Sequence, residues 1–188
     1  MVWTCSRGSR IGSPDRPERE TVWTPTASGL SITSPDAQWL SVYRLNGNIL
    51  NIYRLMTLEP VATLTNRARI YNVQFSPKSD EVAVTSRDRI AFWSTSTWQR
   101  TREIRGFMNI LYAPDARTVW LMEDYRSAGL YDAATLELLL PLPTGMLPLA
   151  LDHDGRQLVV SVDLRRLQVW DLSKVRKQLA LLELDWRE

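Results

Sequence analysis

Cysteine is nearly missing from these 188 residues, with Cys5 standing alone. No intrachain disulfide can form, so nothing marks the chain as a disulfide-stapled secreted scaffold. Histidine is as scarce: His153 is the sole example, which excludes a zinc site built from three histidines. The 8 glycines are scattered, and no phosphate-cradling glycine loop occurs. Neither charge sign is in excess. The 23 Lys and Arg against 21 Asp and Glu leave +2, too little to signal a nucleic-acid surface. No apolar run approaches the ~20 residues of a membrane-spanning helix. The opening stretch, MVWTCSRGSRIGSPDRPERE, has no hydrophobic segment of signal-peptide length. A cytoplasmic location without a membrane segment is the resulting expectation.

What is present is ordinary in bulk and unusual in arrangement. Hydrophobic residues make up 44% and charged residues 23%, enough to build one sizeable core or two small ones. Tryptophan is abundant, with 8 residues spread along the chain like repeated packing pieces. One polar turn returns four times: SPDAQW at 34–39, SPKSDE at 76–81, APDART at 113–118 and DHDGRQ at 152–157, in steps of 42, 37 and 39. A second marker follows each turn. IYR, FWS, LYD and VWD place Tyr53, Trp93, Tyr131 and Trp170 in steps of 40, 38 and 39. A third, TLE at 57–59, TWQ at 97–99 and TLE at 135–137, keeps the same phase. Three markers in phase define an internal repeat.

Each repeat alternates short apolar runs with turn residues. The second reads YNVQF (71–75), a turn, EVAVTS (81–86), a turn, IAFW (90–93) and RTREI (100–104). Runs this short, carrying β-branched and aromatic residues, are strands. Four make one antiparallel meander, which cannot bury both faces alone but can stack on its neighbours. A period near 40 with four strands per unit is the signature of a propeller blade. The recurring turn becomes the hairpin between a blade's first two strands. There Pro35, Pro77 and Pro114 set φ, and Asp36, Asp80, Asp115 and Asp154 can bond nearby backbone. The fold expected is all-β: about four four-stranded antiparallel blades at roughly 29–65, 69–105, 109–143 and 146–172, in a partial or open propeller, with a short C-terminal helix.

At this point the chain resembles the WD-repeat β-propeller family, through VQFSPKSDEVAVTSRDRIAFWS (73–94) and LDHDGRQLVVSVDLRRLQVWDL (151–172). Trp170-Asp171 matches the Trp-Asp signature in full; Trp93-Ser94, Tyr131-Asp132 and Tyr53-Arg54 are degenerate forms. The Gly-His pair of such repeats is absent, so their His–Ser–Trp–Asp network does not carry over. The tail, VWDLSKVRKQLALLELDW (169–186), is similar to the C-terminal end of bacterial WD-repeat proteins, some of which carry a Ser/Thr kinase domain upstream. The resemblance implies a non-catalytic scaffold for protein–protein interaction, the C-terminal fragment of a larger propeller protein. A regulatory domain fused to a bacterial kinase is the alternative.

The ends read differently. Leu172, Val175, Leu179, Leu182 and Trp186 form one apolar stripe, so residues 173–184 are expected to be a helix capped by Ser173 and docked on the last blade. That helix takes the place of the last outer strand. ETVWT (20–24) is the candidate replacement in a closed ring, or the outer strand of a preceding blade in an open one. Residues 1–19 lack periodicity and are expected to be a poorly ordered leader.

Chemistry finds few carriers. His153 falls in a hairpin turn, and Cys5 has no base beside it in sequence. Asp88, Asp124 and Asp163 recur after second strands, where a turn role accounts for them without cation binding or acid–base work. The innermost strands offer Asn72, Gln74 and Asn109, but no His or carboxylate before Asp152, against the remote alternative of a propeller hydrolase. No catalytic, cofactor or metal residue is therefore assigned. The candidate contacts are for an unidentified protein partner: Arg87, Arg89, Arg126, Arg165 and Arg166, all in turns between second and third strands, together with Trp98 in a loop.

Overall fold

The computed structural model describes residues 29–44 and 46–181. The leader at 1–19, ETVWT at 20–24 and the tail from 182 onward lie outside them.

Four antiparallel sheets follow one another along the chain. The first holds β1 (Gly29–Thr33), β2 (Trp39–Arg44), β3 (Ile49–Arg54) and β4 (Pro60–Thr65). The second holds β5 (Asn72–Phe75), β6 (Glu81–Thr85), β7 (Arg89–Ser94) and β8 (Arg100–Arg105). The third holds β9 (Asn109–Tyr112), β10 (Thr118–Met122), β11 (Ala128–Asp132) and β12 (Leu138–Pro141). The fourth has three strands among the described residues: β13 (Met146–Leu151), β14 (Gln157–Val162) and β15 (Arg166–Asp171). The helix α1 (Leu172–Leu181) follows. Strand order is sequential in every sheet, so each is a meander joined by short turns.

Period-2 alternation sends side chains to two faces, and stacking buries both. Where two sheets meet, the front face of one packs on the rear face of the next. In the second sheet Val82 and Val84 pair with Trp93 and Ala91 across β6–β7, while Ala83 and Thr85 pair with Phe92 and Ile90. Val73, Phe75, Val82 and Val84 pack rearward on Tyr43, Leu50, Ile52 and Leu64 of the first sheet. Ala83, Ile90 and Phe92 pack forward on Ile110, Val119, Leu121 and Tyr131 of the third. Trp120, Met122, Ala128 and Leu130 of the third meet Leu147, Leu158 and Val160 of the fourth, with Leu172 of the helix. These three cores join successive sheets; among the described residues none joins the fourth sheet to the first.

The turn motif closes the same way each time. A backbone bond runs from Ala37, Ser79, Ala116 or Gly155 to the carbonyl three residues earlier, at 3.0, 2.9, 3.0 and 3.1 Å. Asp36 Oδ1 accepts the Gln38 N–H and Asp115 Oδ1 the Arg117 N–H. Two expectations need correcting. Asp80 instead accepts the Ser76 hydroxyl at 2.6 Å, and in the fourth turn Asp152, not Asp154, accepts the Arg156 and Gln157 N–H groups. The turns also touch: the Asp36 N–H donates to Ser79 Oγ at 3.1 Å, tying the first blade to the second.

Closing this turn puts its fourth residue in the left-handed region: Ala37 at φ 56, Ser79 at 59, Ala116 at 56 and Gly155 at 67. An L-residue there is strained by about 1–2 kcal/mol, while glycine costs about 0.5–1 kcal/mol in unfolded-state entropy. Ala37→Gly and Ala116→Gly are therefore each expected to stabilise by about 0.5–1 kcal/mol, near 2 °C in thermal midpoint for a chain this size. Differential scanning calorimetry checks this; a lower midpoint in both would contradict the turn geometry.

The third marker has the same cause. Leu58, Trp98 and Leu136 all have positive φ, at 55, 54 and 59, and their N–H groups bond Arg54, Ser94 and Asp132 carbonyls. Beside it, the pairing of third with fourth strand shifts register at Ile52/Tyr53, Phe92/Trp93 and Leu130/Tyr131. A bulge thus recurs at three of the four aromatic markers, Tyr53, Trp93 and Tyr131. The helix begins one residue earlier than expected. Asp171 Oδ1 accepts the Lys174 N–H at 3.1 Å, so Asp171 rather than Ser173 occupies the N-cap. Leu172 is buried in the core shared by the third and fourth blades, and Val175 and Leu179 are half-buried.

Candidate partner-binding rim

Strand topology sorts the loops onto two ends of the blades. Turns between first and second strands share one end with the loops between third and fourth. Turns between second and third strands lie at the other, beside the starts of the inner strands. Arg87, Arg126 and Arg165 occupy these latter turns and are exposed; Arg89 and Arg166 begin the strands that follow. The five arginines are therefore on one rim. Trp98 is not among them. It sits in the β7–β8 loop at the opposite end, edge-on to Trp39 with ring centroids 5.1 Å apart, half-buried in the first inter-blade core. The expectation of a surface Trp98 beside the arginines is corrected by that packing.

Backbone bonds hold this rim. The Ile70 N–H donates to Gly47 O at 2.7 Å, Gly106 N–H to Asp88 O at 2.9 Å, and Gly145 N–H to Arg126 O at 2.8 Å. Each turn thus anchors the linker into the next blade. Arg89 is spoken for: it makes a two-point pair with Asp88 at 3.0 and 3.1 Å and reaches Glu103 at 3.7 Å. Arg100 and Arg105 also contact Glu103.

Between the second and third blades the rim opens into a cavity of about 670 Å³, lined by Tyr71, Asn72, Arg87, Asn109, Glu123 and Tyr125 among others. Asn72 Nδ2 donates to Asn109 Oδ1 at 3.0 Å across the blade boundary. Tyr71 and Tyr125 are 40% and 63% exposed, large aromatic surfaces at the cavity mouth. Sequence reasoning missed both tyrosines. Their signal was position: Tyr71 directly precedes an inner strand and Tyr125 lies in a second-to-third turn. Glu123 accepts the Tyr131 hydroxyl at 2.7 Å; burial, then this bond to a carboxylate, pushes that phenol up to about 12. A larger groove of about 1610 Å³ lies between the same two blades at the opposite end, lined by Lys78, Asp115 and Ala133 among others, and Arg102, Glu81 and Tyr112 bridge the blades there.

The acidic trio behaves as turn chemistry. Asp124 Oδ1 accepts N–H bonds from Arg126 and Ser127 at 2.6 and 2.7 Å, which hold its carboxyl below the usual range. Asp88 pairs with Arg89, and the Asp163 N–H donates to Gly145 O. Asp132, the last residue of β11, accepts from Thr135 and Ala134 N–H and is likewise lowered. Among the described residues no cluster of three or more His, Cys, Asp or Glu could hold a metal ion. His153 is an exposed turn residue. No described helix is long and apolar enough to cross a membrane.

Carboxyls lowered by folding add stability above their unfolded pKa of about 4, and lose it as pH falls toward the folded value. The urea midpoint is accordingly expected to fall between about pH 5 and pH 3. Asp124→Asn with Asp132→Asn should flatten that slope, whereas an unchanged slope would remove these turns from the acid response.

Sequential four-stranded meanders stacked face to face define the β-propeller class, here with four blades. The solved structures it is similar to agree. A Kuenenia stuttgartiensis hydrazine synthase chain matches with TM-score 0.64 and 16% identity, over 85% of this chain and 50% of that one. The Myceliophteria thermophila Cps50 (Swd1) beta-propeller domain matches with TM-score 0.53 and 14% identity, over 76% of this chain and 64% of that one. The chain thus spans about half to two thirds of the length of these neighbours. No family model and no curated protein matches it.

Proposed function

We propose that the chain is a non-catalytic scaffold that binds a protein segment on the rim between its second and third blades. The observation that carries this reading is the pairing of exposed Tyr71, Tyr125 and Arg87 around a cavity with an amide pair in its wall. Tyrosine and arginine dominate binding hot spots, and the cavity's Asn side chains can pair with peptide groups. Charges on the rim are mixed, with Asp88, Asp124 and Asp163 beside the arginines, so short-range contacts rather than long-range steering would select the partner. The test is quantitative affinity capture from the source cell, comparing wild type, Tyr125→Ala with Arg87→Glu, and Lys78→Glu at the opposite end. Loss of the same proteins in the rim variant alone supports the reading; equal capture by all three overturns it.

The resemblance of the tail motivates a second proposal, that this segment is the C-terminal part of a longer propeller protein, in some cases with a kinase upstream. In-frame repeats in the genomic sequence before Met1 would support it, and a stop codon there would refute it.

A further inference from the structure

The repeat makes the two terminal faces of the arc readable by equivalence. In register, the front-face pairs Ala83–Phe92 and Thr85–Ile90 of the second blade correspond to Val159–Val169 and Ser161–Leu167 of the fourth. Phe92 and Ile90 are buried under the next blade, whereas Val169 and Leu167 are 65% and 70% exposed. The rear face of the first blade is uncovered in the matching way. Leu40 and Tyr53 correspond to Val82 and Trp93 and are only half-buried. Leu58 corresponds to Trp98 and Leu136, which pack against the preceding blade, yet it is 55% exposed. Among the described residues there is therefore one unmated front face and one unmated rear face, the two surface types that mate three times within the arc.

We propose that a second copy of this chain covers both, front to rear at each junction, closing a two-fold ring of eight blades. Of the 188 residues, the 28 that precede β1 number fewer than the 37 to 42 of one repeat. Area favours two simultaneous junctions. A blade face of three to four strands about 4.8 Å apart, each about six residues at about 3.3 Å, covers roughly 300–400 Å². One junction buries roughly 600–800 Å² counting both sides, the scale of a crystal contact; two bury roughly 1,200–1,600 Å², the size of a stable interface. Eight blades also fall within the usual range of about 4–8. A front-to-rear contact that closes yields a finite ring; one that does not yields filaments. This inference is independent of the partner-binding rim.

Light scattering on the size-separated 188-residue chain tests it, with twice 21.6 kDa as the expected mass. Val169→Arg and Leu58→Arg, both at exposed positions, should each yield monomers with unchanged circular dichroism. Mixing the two variants should restore part of the dimer, because one junction of the mixed ring is then wild type on both sides. A monomeric wild-type chain, as expected if blades of a longer protein cover these faces, overturns the proposal. So do filaments, or a dimer lost with one variant and kept with the other, the mark of like-to-like pairing.

Discussion

Trp120→Ala is expected to destabilise the protein by about 3–5 kcal/mol and to release the fourth blade before the others. Trp120 is 1% exposed, on the front face of the third blade. It pairs across the sheet with Leu130 and belongs to the core shared with Leu158, Val160 and Leu172. Truncation removes the largest side chain in that core and leaves a cavity the neighbouring strands can only partly fill. Cores in this architecture lie only between neighbours, so stability is close to a sum of nearest-neighbour terms. The loss should therefore concentrate at the third junction. Hydrogen exchange across a urea series reads it directly. Amides of β13–β15 should lose protection at lower urea than in wild type, while those of β5–β7 keep theirs. A uniform loss across all sheets would mean that the arc unfolds as one unit.

Phe92→Ala is the second large effect, expected at about 3–5 kcal/mol from the junction between the second and third blades. Phe92 is 1% exposed, and the Arg102 guanidinium lies 4.1 Å over its ring. Arg102 also reaches Glu81 at 3.4 Å and the Ala133 carbonyl at 3.5 Å, while Glu81 accepts the Tyr112 hydroxyl at 2.9 Å. Burial, then the Glu81 charge, raises the Tyr112 pKa, so the phenol remains a donor through the physiological range. The ring thus supports both an apolar core and the base of a cation that crosses the seam. Arg102 is 40% exposed at its side chain, so its ion pair is screened and its stacking contributes about 0.5–1 kcal/mol. Phe92→Leu, which keeps most of the apolar volume, should cost about 1–1.5 kcal/mol, and Arg102→Ala about 1 kcal/mol. Urea denaturation of the three variants separates the contributions. Equal losses for Phe92→Leu and Phe92→Ala would place the energy in the ring's aromatic contact rather than its volume.

Much of this architecture was legible because its signals are local. Alternation in EVAVTS and the turn SPKSD each concern residues within a few positions, and β6 and the β5–β6 turn form there. Repetition then multiplied a weak local signal four times. The failures also have physical causes. Trp98 was expected at the surface because it lies in a loop, but its partner Trp39 lies in another blade. Ser173 and Asp171 are both competent caps; which one acts depends on where β15 ends, and backbone geometry sets that. Tyr71 and Tyr125 are unremarkable in sequence and become a pair only when successive blades bring their turns to one rim.

Sequence by itself determined the period, the strand content and the turn chemistry, since those follow from dihedral preference and side-chain alternation within one repeat. Tertiary structure alone decided which faces are mated and which are left open. It also decided which side chains of different blades meet, as Trp98 meets Trp39 and Arg102 meets the Ala133 carbonyl. Those properties depend on distances between residues tens of positions apart, and only the stacking of one blade on the next sets such distances.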